Sequence, residues 1–239
     1  MLHKTKGIVL RTTPYSDSSI IIKVYTEKFG MQSYIVHGAR STRSKGKSAI
    51  YRHGNLLDMV VYHKDSGDIF KISEAGLDYT YIAAPFEIVK SSLLLFSIEL
   101  LTRSVREAES NADLFQYVWD AFIWLDKSEV ALGHFHLCFS LGISQLLGFA
   151  PSIESGSYFD LQEGRFCQVL PAHGQYMDPT TAASMKQVIE TSYTDCHTLH
   201  LTHLQRKQLL HFLLIYFRLH TVGFGQMHSP AILEEVLRD

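Results

Sequence analysis

The stretch HGARSTRSKGKSAIYRHGN, residues 37–55, decides how the first third of the chain is read. It carries Arg40, Arg43, Lys45, Lys47 and Arg52 and not one Asp or Glu. Apolar, β-prone runs lie on both sides. KGIVLRTT, SSIIIKVYTE and MQSYIVHG come before it; NLLDMVVYH and DIFKISEAGL follow it, joined by the polar connection KDSGD. Short runs of β-branched and aromatic residues bounded by turn residues predict strands. Five strands with one long excursion between the third and the fourth suit a small closed barrel of the OB type. Another small β-barrel or a sandwich fits the same pattern.

After Leu77 the periodicity changes. PFEIVKSSLLLFSIELLTRSVREAE has Pro85 in its first turn and apolar residues at spacings of three and four, which predicts a helix. NADLFQYVWDAFIWLDK starts on Asn111 as N-cap, and EVALGHFHLCFSLGISQLLGF is stopped by Gly148 and Pro151. DPTTAASMKQVIETS, THLQRKQLLHFLLIYFRLHTVGF with Thr202 as cap, and SPAILEEVLR complete the helical part. Between the third and fourth helices lies a Gly- and Pro-rich segment with a hairpin around QEGRF. The expected fold class is α+β in two domains. Residues 1–82 form an OB barrel; residues 83–239 form an all-helical domain with a small irregular or hairpin insertion.

The charge is unevenly spread. Residues 1–82 hold twelve Lys and Arg against seven Asp and Glu, and the rest holds ten against seventeen, so the two parts carry +5 and −7. A basic front and an acidic back suit different partners. Cys138, Cys167 and Cys196 are far apart in sequence, which is no disulfide framework and fits a reducing compartment. MLHKTKGIVL lacks the apolar core of a signal peptide, and no helical stretch is apolar enough to span a bilayer. A soluble cytoplasmic protein with no membrane partner is expected.

Lys and Arg held close together neutralise phosphates and release counterions. The basic stretch is therefore the candidate nucleic-acid contact, and the alternative is a solvated loop with no partner. If Ile20, Ile22 and Val24 point inward, then Ile21, Lys23 and Tyr25 point outward, with Arg11 and Tyr34 as candidates on neighbouring strands. Cations for the backbone and rings for stacking are what single-strand binding uses. His197, His200, His203 and His211 raise a metal site as an alternative, but no Asp, Glu or Cys cluster matches them. His134 and His136 do not share a helix face and read as packing or surface residues. No phosphate-binding glycine loop is present, and neither Asp113, Asp120 and Asp126 nor Cys167 and Cys196 have the partners of a catalytic site. No enzymatic activity and no cofactor are expected. Arg103 and Arg106 end the first helix, where they complement its dipole or receive an acidic peptide tail.

GARSTRSKGKSAIYRHGNLLDMVVY resembles the stretch after the third strand in the bacterial RecO family of recombination and repair proteins. GIVLRTTPYSDSSIIIKVYTEKFG is similar to that family's first hairpin. SIELLTRSVREAESNADLFQYV and FHLCFSLGISQLLGFAP resemble its helical domain, and LLIYFRLHTVGFGQMHSPAILEEVL its closing segment in the Bacteroides-like branch. The likeness runs from Lys6 to Leu237. It implies an N-terminal OB barrel, binding of single- and double-stranded DNA, and annealing of complementary strands. It also implies that the protein, with RecR, helps load RecA onto strands coated by single-strand-binding protein. The DNA-contact role carries over to Arg40, Arg43, Lys45, Lys47 and Arg52, while Arg103 and Arg106 are candidates for the acidic, Phe-ended tail of the single-strand-binding protein. Many members hold zinc with four cysteines after the third helix. Here Ser155 and Tyr158 stand near the first pair and only Cys167 is present, so no metal is expected and Tyr158, Phe159 and Phe166 should hold that segment. Two other readings remain: a metal-dependent nucleic-acid enzyme using the C-terminal histidines, and an RNA-binding OB module.

Overall fold

A computed structural model describes residues 1–40, 48–64, 67–105 and 109–238. The strands are β1 (Leu2–Pro14), β2 (Ile20–Thr26), β3 (Gly30–Val36), β4 (Leu56–Tyr62) and β5 (Phe70–Tyr79), with a 3-10 turn at Ala49–Tyr51. The helices are α1 (Ile88–Ser104), α2 (Ala112–Lys127), α3 (Phe135–Leu146), α4 (Pro179–Ile189), α5 (His203–His220) and α6 (Ser229–Val236). A small sheet of β6 (Tyr158–Asp160), β7 (Arg165–Cys167) and β8 (Tyr176–Met177) lies between α3 and α4 in sequence. Two compact units result: Met1–Ala83 with Val105–Asp126, and Ala84–Ser104 with Lys127–Asp239. No helix among the described residues is long and apolar enough to cross a membrane.

The first unit is a closed barrel in the order β1-β2-β3-β5-β4, the expected OB arrangement. Strand β1 makes closure possible. Its first half pairs with β4, from Leu2↔Tyr62 to Ile8↔Leu56, and its second half pairs with β2, from Gly7↔Thr26 to Pro14↔Ile20. Gly7 belongs to both ladders, and a Cβ there would run into the side chains of Met59 and Val24. Past Gly7 the ladder skips a residue: Val9 pairs with Val24, but Arg11 pairs with Lys23. This bulge resets the alternation. Val9 and Leu10 are both buried, and Arg11 is exposed. Strict alternation from Val9 would turn Arg11 into the core, among Ile22, Val24, Tyr34 and Met59.

Helix α2 packs within this unit, although strand-like sequence gives way to helix-like sequence near residue 83. Asn111 caps it as expected, its Oδ1 accepting from Leu114 N at 2.9 Å. Its buried face brings Phe115 to 5.8 Å from the Tyr25 ring, and Trp119 lies 4.8 Å from Lys6 Nζ. At its end Asp126 is 1% exposed and accepts from Tyr79 Oη at 2.8 Å, Ile82 N at 2.9 Å and Ala83 N at 2.8 Å. Burial and the Asp126 carboxylate raise the Tyr79 phenol to about 12.

The second unit is built on α1, α3, α5 and α6. Thr202 caps α5 as expected, in a capping box with Gln205. Helix α3 starts at Phe135, later than its sequence pattern, and ends before Gly148 at φ +83°. His136 is 2% exposed, and burial pushes its imidazole down to about 3, so it packs as a neutral ring. In the insertion Phe159 and Phe166 are buried with ring centroids 4.9 Å apart, Tyr158 meets Tyr176 at 6.0 Å, and Lys186 Nζ lies 4.7 Å over Phe166.

Glu99 of α1 receives the orphan N–H groups at the start of α6, from His228 at 3.0 Å and Ser229 at 2.8 Å, and holds Arg103 Nε at 3.1 Å. Burial works against its charge, but the bonds from Ser229, His228 and Arg103 outweigh it and hold the carboxyl below its usual range. That contribution is complete above the unfolded-state pKa and is lost as pH falls through the depressed folded value. Glu99→Gln should lower stability by about 1–2 kcal/mol at neutral pH and flatten the acid side of a stability profile measured by urea unfolding. An unchanged acid limb would contradict this account. Asp126→Ala leaves a phenol and two backbone N–H groups without their acceptor and should cost about 3 kcal/mol in the same assay.

Candidate nucleic-acid interface

Both ends of the basic stretch are fastened to the β1–β2 hairpin. At its start Arg40 N donates to Ser18 O at 3.0 Å and Arg40 Nη1 donates to Ser16 O at 3.3 Å. His37 Nδ1 lies 3.3 Å from Ser19 Oγ. On the return Thr12 Oγ1 donates to Tyr51 O at 2.5 Å, and Thr12 N donates to His53 Nε2 at 3.3 Å. Asn55 Nδ2 closes the 3-10 turn by donating to Ala49 O at 3.1 Å and Ile50 O at 3.0 Å. Gly54 N donates to Val9 O at 2.7 Å. Gly38 and Gly54 take φ of +70° and +83°, the left-handed region that favours glycine at both turning points.

Of the expected contacts, Arg43, Lys45 and Lys47 lie outside the described residues. Arg40 and Arg52 are exposed at the two ends of the stretch. Arg11 and Lys23 are register partners across β1 and β2, on the face opposite the inward-pointing Ile22 and Val24. Like charges directly opposite each other on a sheet repel, and an anion bridging them relieves the repulsion. Lower on β1 the pattern differs: Lys4 pairs with Asp58 at 2.9 Å and Lys6 with Asp78 at 3.1 Å. Among the described residues no ion pair involves Arg11, Arg40 or Arg52, although Asp17 lies in the hairpin itself. Positive charge is thus compensated at one end of β1 and left over at the other.

The rings expected to stack on bases do not do so. Tyr34 is inside the barrel, opposite Ile22, and Tyr25, though it points outward, is covered by Phe115 and donates to Asn111 O at 3.3 Å. Both are 0% exposed, and burial raises both phenols. Arg103 is half-buried, tied to Glu99 and to Phe224 O at 3.4 Å; Arg106 lies outside the described residues. His197, His200 and His211 are exposed, and among the described residues no three His, Cys, Asp or Glu side chains converge as metal ligands. Thr12 and Asn55 hold the basic stretch in place without contributing charge. The sequence signal for Asn55 was its place beside Gly54, a turn pair.

A five-stranded barrel of this order, with Arg11, Arg40 and Arg52 at one rim outside any ion pair among the described residues, and followed by helices, is an OB-fold protein of the kind that takes polyanionic strands. Comparison with known proteins narrows this class. The N-terminal family model of recombination protein O matches residues 1–81, and the C-terminal one matches residues 85–229. The DNA repair protein RecO of Bacteroides fragilis is 32% identical over 240 residues, and that of Phocaeicola vulgatus 31% identical over 239 residues, each covering 99% of both chains. That of Porphyromonas gingivalis is 27% identical over 98% of both. The chain belongs to the recombination protein O family.

If the Arg11–Lys23 pair touches phosphates, Arg11→Ala with Lys23→Ala removes two contacts. The slope of log affinity against log salt for single-stranded DNA, read by fluorescence anisotropy, should then become shallower by about 1.4. An unchanged slope would take the pair out of the interface.

Proposed function

We propose that the chain is a recombination mediator of the RecF pathway of DNA repair. It anneals complementary single strands and, with RecR, helps load RecA onto strands coated by single-strand-binding protein. The carrying observation is the basic stretch, free of acid in its sequence and fastened at both ends beside the Arg11–Lys23 pair. Cations there hold phosphates without reading bases, which suits a protein that must act on any damaged sequence. Neutralising two strands lowers their mutual repulsion, and pairing then proceeds by base complementarity alone. No bond is made or broken by the protein, so it acts as a binding protein in the cytoplasm, at the nucleoid, on single- and double-stranded DNA.

The second unit, Ala84–Ser104 with Lys127–Asp239, carries a net charge of −3 and lacks the acid-free basic stretch of the first, a poorer surface for DNA and a suitable one for proteins. RecR and the acidic tail of single-strand-binding protein are its proposed partners. Arg103 and Arg106 are the candidate cations for the tail, and Arg103 would have to share its guanidinium with Glu99.

Replacing Arg40, Arg43, Lys45 and Lys47 with Ala should slow annealing of dye-labelled complementary strands by about tenfold or more and flatten the salt dependence of binding. Annealing at the wild-type rate would refute the proposal. Tighter binding of RNA than of single-stranded DNA in competition would favour an RNA-binding module instead.

A further inference from the structure

Strands β3 and β5 pair in parallel through Tyr34↔Phe70 and Ile35↔Lys71 alone. Beyond those positions they part, and a groove of about 450 Å³ opens between them. His37, Ile50 and Tyr51 line one side; Lys71, Ile72 and Glu74 line the other. The first three belong to the two described ends of the basic stretch, so the groove adjoins those ends. It is separate from the Arg11–Lys23 pair, which sits on β1 and β2.

The order of chemistry across the groove is informative. Lys71 and His37 are exposed and polar, Ile50, Ile72 and the 6%-exposed Tyr51 supply apolar wall, and Glu74 is an exposed carboxylate. Among the described residues Glu74 takes part in no ion pair. A carboxylate repels phosphate, so the groove does not continue the phosphate track. It accepts hydrogen bonds from N–H donors, and the exocyclic amines of cytosine and adenine are such donors at the edge of a flat, largely apolar ring. Its volume falls within the range of small-ligand sites, of the order of 300–1,000 Å³.

We infer that this groove receives one unpaired nucleobase of a strand whose phosphates lie on the basic stretch, with Glu74 accepting from the exocyclic amine of cytosine or adenine. The inference rests on the DNA-binding reading above and adds to it a contact that only an unpaired strand can make. In a duplex that amine already pairs with the opposite base, and the ring is held in the stack. The base enters only when unpaired, so the completed duplex loses this contact and is released more readily than the strands that formed it.

The test uses the full chain and three labelled oligonucleotides of equal length: cytidine only, thymidine only, and abasic sugar-phosphate. The abasic strand should bind about tenfold more weakly than the cytidine strand with the same salt slope, and thymidine about threefold more weakly than cytidine. Glu74→Ala, which removes the acceptor at an exposed site, should erase the cytidine preference, while abasic binding holds or tightens slightly because a charge that repels phosphate is gone. Equal affinity for all three strands would overturn the groove while leaving the phosphate grip standing. Binding to none of them would overturn both. A cytidine preference that survives Glu74→Ala would remove the base from this groove.

Discussion

The extra residue in β1 is the constraint on which the rest depends. In a closed barrel every strand serves two neighbours, and β1 divides the task along its length, pairing with β4 through its first half and with β2 through its second, with the changeover at Gly7. The bulge after Val9 follows that changeover and shifts every later side chain by one face. Leu10 is buried as a consequence, and Arg11 comes out opposite Lys23. Thr12, the next residue, is then placed to hold Tyr51 O and His53. One irregularity thus closes the core, exposes a cation and anchors the return of the basic stretch.

The same strand shows why location of charge matters more than its amount. Lys4 and Lys6 are paired with Asp58 and Asp78 across the ladders, so their charge is compensated. At the other end the hairpin and the two ends of the basic stretch converge with hydrogen bonds to backbone carbonyls instead of carboxylates. Carbonyl contacts fix geometry without cancelling charge, so the field at that rim stays positive and falls with salt. Exposed ion pairs add little stability, and the barrel loses little by leaving Arg11, Arg40 and Arg52 outside any ion pair among the described residues.

Much of this was legible in the sequence. The five strand runs, the excursion between the third and fourth, Asn111 and Thr202 as caps and Phe159 with Phe166 as an insertion core all follow local rules of pattern and capping. What was not legible depends on contacts distant in sequence. Tyr25 reads as an outward ring, and nothing local shows that α2 lies over it. Asp126 reads as one of several helix acids, whereas three donors from residues 79–83 converge on it. The loose alternation of KGIVLRTT was visible, but whether it meant a bulge or a weak strand depended on the register with β2. The apolar run Ile8–Val9–Leu10 was the only hint. Arg103 looked like a free helix-end cation because the turn before α6, which its partner Glu99 caps, is more than a hundred residues away in sequence.

The central claim is that the rim built from the β1–β2 hairpin and the basic stretch is the surface that grips DNA. Amide hydrogen exchange of the full chain, with and without a saturating single-stranded oligonucleotide, tests it most directly. The account predicts slowed exchange confined largely to residues 10–23 and 37–55, reversed by added salt. Protection confined to the helices of the second unit, with that rim unchanged, would contradict it.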